Sequence, residues 1–234
     1  MPPKVTQQKF VGIQISPISF IDEGIDQVLD TLQQRVGVNV LMIGTVSWLG
    51  LKAGRSISHK LDGWPDHGVP EPIEMQGGAY FNPHPEYYAH TAIKEFRAKD
   101  ALTAGFDVLE AVIPAAKARG LRVMPELMEP LFKYAGHGSV NNVAIANMPQ
   151  YLEIDLYGRT ASEPCTNNPD YRRWWQSMIE DQCRSYAIDG IMWCNERRSP
   201  LDQMIAGQAP GCFCAHCRRE AQARGIDVEP VRKA

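Results

Sequence analysis

Apolar residues in this chain fall into short continuous runs, separated by stretches with a helical period. Phe10 to Pro17 reads as a buried strand. Asp22 opens a helical pattern in which Ile25, Val28, Leu29, Leu32 and Val36 recur on one face. Gly37 stands where a left-handed cap ends such a helix. Val38 to Val46, rich in Val, Ile and Leu, predicts a second strand. Phe106, Leu109, Val112, Ile113 and Ala116 make a second helix face, closed by Gly120, and Leu121 to Leu127 a third strand. Asn168-Pro169 has the form of an N-cap followed by proline at the first helical position. Tyr171, Trp174, Trp175, Met178 and Ile179 then form a third helix face. Ile188 to Cys194 is a fourth strand, and Arg218 to Arg224 a short helix capped by Gly225.

Strands alternating with helices in this way imply a parallel sheet with right-handed crossovers. The expected class is α/β of the (β/α)8 TIM-barrel type, with about four βα units present and residues 1–234 forming one domain. Two long connections, from Leu49 to about Ala104 and from Glu129 to Asn167, each follow a strand and precede a helix. They therefore emerge at the carboxyl ends of the strands, where such folds build their sites. The first holds Gly63-Trp64-Pro65-Asp66-His67-Gly68 and Asn82 to Tyr88, more aromatic and histidine character than a covering loop needs.

Composition narrows the function. With 44% hydrophobic and 22% charged residues, the chain belongs with soluble globular domains, not disordered ones. No apolar run reaches the ~18 residues of a membrane span. Met1 to Gln8 carries no apolar signal core, which points to the cytoplasm and to no membrane partner. Net charge is -3, with Lys and Arg dispersed, so a nucleic-acid partner is not expected. The phosphate-binding glycine loops and the Gly-x-Ser-x-Gly elbow are absent from the sequence, which leaves nucleotide chemistry and serine hydrolysis unsupported.

The chemistry-bearing residues form three groups. Cys212, Cys214 and Cys217 lie close enough to reach one ion, and zinc is the default for an all-thiolate tetrahedral site. Cys165, in a loop just before the third helix, is the best fourth ligand, ahead of His216. A four-cysteine shell leaves no open position, so such a zinc holds structure and does no catalysis. Cys183 and Cys194 fall within a helix and a strand, and are expected as small buried apolar residues. The second group is Asn195-Glu196, at the carboxyl end of the fourth strand. A partly desolvated Glu196 could hold its proton near neutral pH and act as a general acid, with Asn195 on a substrate hydroxyl; the same residues, followed by Arg197-Arg198, equally suit a surface ion-pair cluster. The third is Glu126 and Glu129 at the end of the third strand. These are either a second carboxylate of the kind glycoside hydrolysis uses or solvated loop groups. Trp48, Trp64, Tyr80, Tyr87 and Tyr88, with His67 nearby, could present faces to sugar rings, whereas Trp174 and Trp175 belong to helix packing.

The run Cys165-Thr166-Asn167-Asn168-Pro169-Asp170-Tyr171-Arg172, then a helix, then a strand ending in Asn195-Glu196, then Cys212-x-Cys214-x-x-Cys217, resembles glycoside hydrolase family 42. These are zinc-containing β-galactosidases of the clan A (β/α)8 barrels. The resemblance covers roughly Cys165 to Gly225. It implies Glu196 as acid/base, Asn195 as a substrate contact, and Cys165, Cys212, Cys214 and Cys217 as ligands of a structural zinc. Arg197-Arg198 replaces the family's aromatic-glycine continuation, so the chain reads as a divergent relative and galactose is not implied.

A closed eight-stranded barrel takes about 250 residues, and the two long loops leave too few for four more strands. The family's nucleophile, a Glu on strand seven, lies beyond these units. The expectation is a half-barrel with a carbohydrate substrate and retaining chemistry, completed by a C-terminal half, a second chain or a homo-oligomer, since an open half-barrel exposes strand edges. The alternatives are a non-catalytic carbohydrate-binding or assembly subunit, and a metal-assisted barrel enzyme using His67, His84 or His137 with Glu126 or Glu129.

Overall fold

The computed structural model describes residues 9–47, 78–98, 105–128, 149–194, 205 and 211–230. In chain order they form β1 (Gly12–Ile15), α1 (Pro17–Glu23), α2 (Ile25–Thr31), β2 (Val40–Ser47), β3 (Gly78–Ala79), α3 (Val108–Ala118), β4 (Arg122–Met128), β5 (Leu152–Ile154), β6 (Thr160–Pro164), α4 (Pro169–Ser185), β7 (Met192–Cys194) and α5 (Ala215–Ala223). Strands β1, β2, β4 and β7 lie side by side in that order, all parallel. They make a curled half-barrel sheet with helices packed on its outer face. β3 adds a short antiparallel rung to the end of β2, and β5 and β6 form a separate hairpin.

Register sorts the two faces. Ile13, Leu41 and Val123 share one row, and Ile15, Ile43 and Pro125 another. These rows meet Val28, Leu29, Leu109, Val112, Trp174 and Met178 in the core. The intervening rows point to the barrel interior: Gln14, Met42 and Met124, then Gly44, Glu126 and Met192. Here the methionines are only half-buried and Gln14 is exposed. β1 is therefore not the buried strand its composition suggested. One of its faces packs on helices, and the other looks into an interior that the described chain does not fill.

Three further departures have local causes. The helix expected from Asp22 to Val36 is broken at Gly24, whose φ of 84° no helix accommodates. Its last turn widens to π geometry over Leu32–Val36, which swings Val36 off the apolar face to 59% exposure. The fourth strand begins at Met192, not Ile188. Val123 turns both its N–H and its carbonyl toward Asp189, binding its carboxylate (2.7 Å) and its N–H (2.8 Å). Two residues on, the same edge of β4 offers Pro125, which has no N–H to give. The β4–β7 ladder accordingly starts at the next pair, Glu126 and Met192. Finally, the connection read as a loop from Glu129 to Asn167 contains the β5–β6 hairpin.

Candidate functional site

The cysteine cluster is built by three segments. Strand β6 delivers Cys165 next to α4, whose N-cap Asn168 accepts from Asp170 N–H at 3.0 Å and Tyr171 N–H at 3.4 Å. Cys212 and Cys214 precede α5, and Cys217 lies on its first turn. Phe213 N–H donates to Ile154 O at 2.6 Å and so seats the second segment on the hairpin. Cys165 Sγ lies 3.4 Å from Cys217 Sγ and 3.5 Å from Cys214 Sγ, and all four sulfurs fall within 4.8 Å of one another. Asn167 Nδ2 donates to Cys217 Sγ at 3.4 Å. Cys165 is buried and the other three are half-buried. As free thiols Cys212 and Cys217 hold their protons: the contact with Cys165 and then burial push Cys212 well above the ordinary thiol range, and burial pushes Cys217 up to about 12. A cation at the centre reverses that balance, because a coordinating thiol is deprotonated outright. Four convergent sulfurs can hold a metal ion. Among the described residues no other group of three or more His, Cys, Asp or Glu side chains converges in this way. His216 is outside the set; its Nδ1 lies 2.8 Å from an Arg219 guanidinium nitrogen. Cys183 is exposed, not buried as expected, because it lies on the outward side of α4; Cys194 is half-buried.

The barrel rim supplies a different chemistry. Glu126 is 7% exposed and lies on the interior face next to Met192 of β7. Gln14 Nε2, from β1, donates to its Oε1 at 3.0 Å, reaching across the Gly44 position of β2. Gln14 carried no functional signal in the sequence, where it looked like one polar residue inside an apolar run. Cys194 ends β7, so the chain passes from this strand straight into Asn195-Glu196. Asn195, Glu196, Glu129, Trp48, Trp64, His67 and His137 lie outside the described residues.

A third polar cluster lies among the helices. Asp181 is fully buried and accepts from His84 N–H (3.0 Å), Tyr88 OH (3.0 Å) and Ser185 Oγ (2.9 Å), with His84 Nδ1 at 2.7 Å. Asp107 caps α3 and also takes Asn82 N–H at 2.8 Å and Tyr186 OH at 2.6 Å. Burial, then Asp181, pushes the Tyr88 hydroxyl far above its ordinary range; burial, then the bond to Asp107, does the same to Tyr186. His84, Asp107, Ser185 and Tyr186 line a pocket of about 360 Å³ between α3 and α4. These bonds anchor the excursion after β3 to the helix layer. His84 is thereby committed to Asp181, while Glu126 is committed to the interior face, so the structure does not join these two into the metal site weighed above. Tyr80 and Tyr88 are buried, not open to a sugar; both belong to the apolar core, with Tyr88 edge-on to Phe96.

No protein-family model matches the chain, and no curated protein matches it. Among solved structures it is similar to α-L-fucosidase isoenzyme 2 from Paenibacillus thiaminolyticus. Identity is 18% and the TM-score 0.53, over 95% of this chain and 27% of that one. It is also similar to a maltogenic α-amylase from Thermotoga neapolitana, at 13% identity and a TM-score of 0.47, over 92% of this chain and 43% of that one. The chain thus spans about a quarter of the fucosidase chain. The first likeness extends over nearly all of this chain and supports the barrel-type fold. No helix among the described residues is long and apolar enough to cross a membrane.

Proposed function

We propose that this chain is half of a barrel-type glycoside hydrolase, in which Glu196 is the acid/base, Asn195 contacts a sugar hydroxyl, and Glu126 lines the substrate cavity. The observation that carries the reading is the address of the Asn195-Glu196 pair. It directly follows the last residue of the fourth parallel strand, whose first residue, Met192, pairs with the buried Glu126. Glu196 protonates the departing glycosidic oxygen and later activates water, while a carboxylate from the remaining βα units acts as nucleophile. The likeness to a fucosidase supports the fold on which this chemistry rests and leaves the sugar open. In the same reading the four cysteines hold zinc, since a closed set of four thiolates suits that ion and offers no position for substrate. The missing strands come from a C-terminal half or a second chain. The test is Glu196→Gln in the completed barrel, assayed on a panel of aryl glycosides. Turnover falling by roughly a hundredfold or more is expected for a lost general acid; unchanged turnover removes Glu196 from the mechanism. Metal analysis should find one zinc per chain.

A further inference from the structure

We propose that the metal is a latch: it is the principal tie that docks the segment carrying α5, and in doing so it fixes the far end of the connection that bears Glu196. This rests on the reading of the four cysteines as metal ligands and extends it to what the metal controls. No residue of α5 is buried. None of its side chains enters the apolar core. Its ion pairs, Glu220 with Arg224 and Arg218 with Glu229, are internal to residues 211–230. Within α5, Cys217 is the sole residue, among those described, whose side chain bonds to the body of the half-barrel. A helix of nine residues with no buried face has little stability of its own. What holds it is the sulfur cluster, helped by the Phe213–Ile154 backbone bond.

Cys165 lies on the other side of that cluster, immediately before α4, which buries Tyr171, Trp174, Trp175 and Met178 in the core. The metal therefore joins a segment without an anchor to one that is deeply anchored. The chain leaves the sheet at Cys194 and returns to the hairpin at Cys212, so the connection between them is held by β7 at one end and by the metal at the other. With the metal removed, one end of that connection is free. The half-barrel itself stays folded.

The experiment is hydrogen exchange, followed by mass spectrometry, on the full chain with zinc bound and after chelation under reducing conditions, with metal content measured on the same samples. Peptides within 212–225 should lose protection by about tenfold or more on chelation, as a locally unfolding segment does. Peptides from β2, α3 and α4 should be unchanged. Cys217→Ser should reproduce the chelated pattern without chelator, while Cys183→Ser should not. Retained protection of 212–225 in metal-free protein would overturn the latch and leave the metal site standing. So would loss of protection across all peptides together, because the metal would then support the whole fold. Protein that contains no metal and takes up neither zinc nor cobalt(II) would overturn the metal reading itself, a separate outcome.

Discussion

Asp181 ties the excursion after β3 to α4. It has no exposed surface and gathers two groups of His84, the Tyr88 hydroxyl and the Ser185 hydroxyl. Asp181→Asn keeps the size and replaces part of an acceptor with a donor, which leaves buried partners facing the wrong group. A loss of about 2–4 kcal/mol is expected, read from the midpoint of urea unfolding. Cys165→Ala should abolish stoichiometric metal binding, whereas Cys183→Ala, at an exposed cysteine outside the cluster, should leave it intact; metal analysis of the purified variants decides. At this scale the sequence spoke clearly only where the chemistry is local. Three cysteines within six residues declare themselves, and Cys165 could be nominated as the fourth. Asp181 has no such signature, because its partners at positions 84 and 88 are almost a hundred residues away. Tyr80 and Tyr88 misled for the same reason: aromatic residues in a long connection read as exposed until packing shows what covers them.

Individual elements respond to their ends. Asn168 caps α4 with two backbone bonds, and Pro169 follows it, as the dipeptide predicted. Asn168→Ala should cost about 1 kcal/mol. The loss should appear as a lower thermal midpoint, and also as weaker metal binding, since Cys165 is three residues upstream. Asp189 sets the start of β7. Partial burial acts to raise its pKa, but the bonds from Lys117 and from the Val123 N–H outweigh this and hold it below the usual carboxylate range. A carboxyl group that is more acidic in the folded state stabilises the fold above its unfolded pKa of about 4; that contribution disappears as pH falls through the lower, folded value. Asp189→Asn should therefore cost about 1 kcal/mol at pH 7 and progressively less below pH 4, seen by comparing unfolding midpoints across pH. The α3 and α4 faces were legible because their apolar residues follow one period. The break at Gly24 and the late start of β7 were not: each depends on where a neighbouring strand or helix stands, which periodicity does not encode.

Among the described residues the sheet has one covered face and one open one. Met178, on the covered side, is fully buried, while Met42, Met124 and Met192 on the interior face are only partly covered. Brief treatment with peroxide followed by peptide mass spectrometry should oxidise those three before Met178, since thioether oxidation follows exposure. Adding the proposed complementary βα units should protect them; equal protection before and after would argue that this face is not where the barrel closes. By itself the sequence determined the parallel α/β alternation, the helix faces and caps, and the set of cysteines that could hold a metal, because these depend on contacts a few residues apart or on ligands that few other side chains imitate. Only the tertiary structure decided that β1 is half-open, that Gln14 meets Glu126 across β2, that His84 belongs to Asp181, and that Cys217 is the side chain by which α5, among the described residues, bonds to the half-barrel. Those relations are set by strand register and by packing between distant segments, and a sequence read one window at a time contains neither.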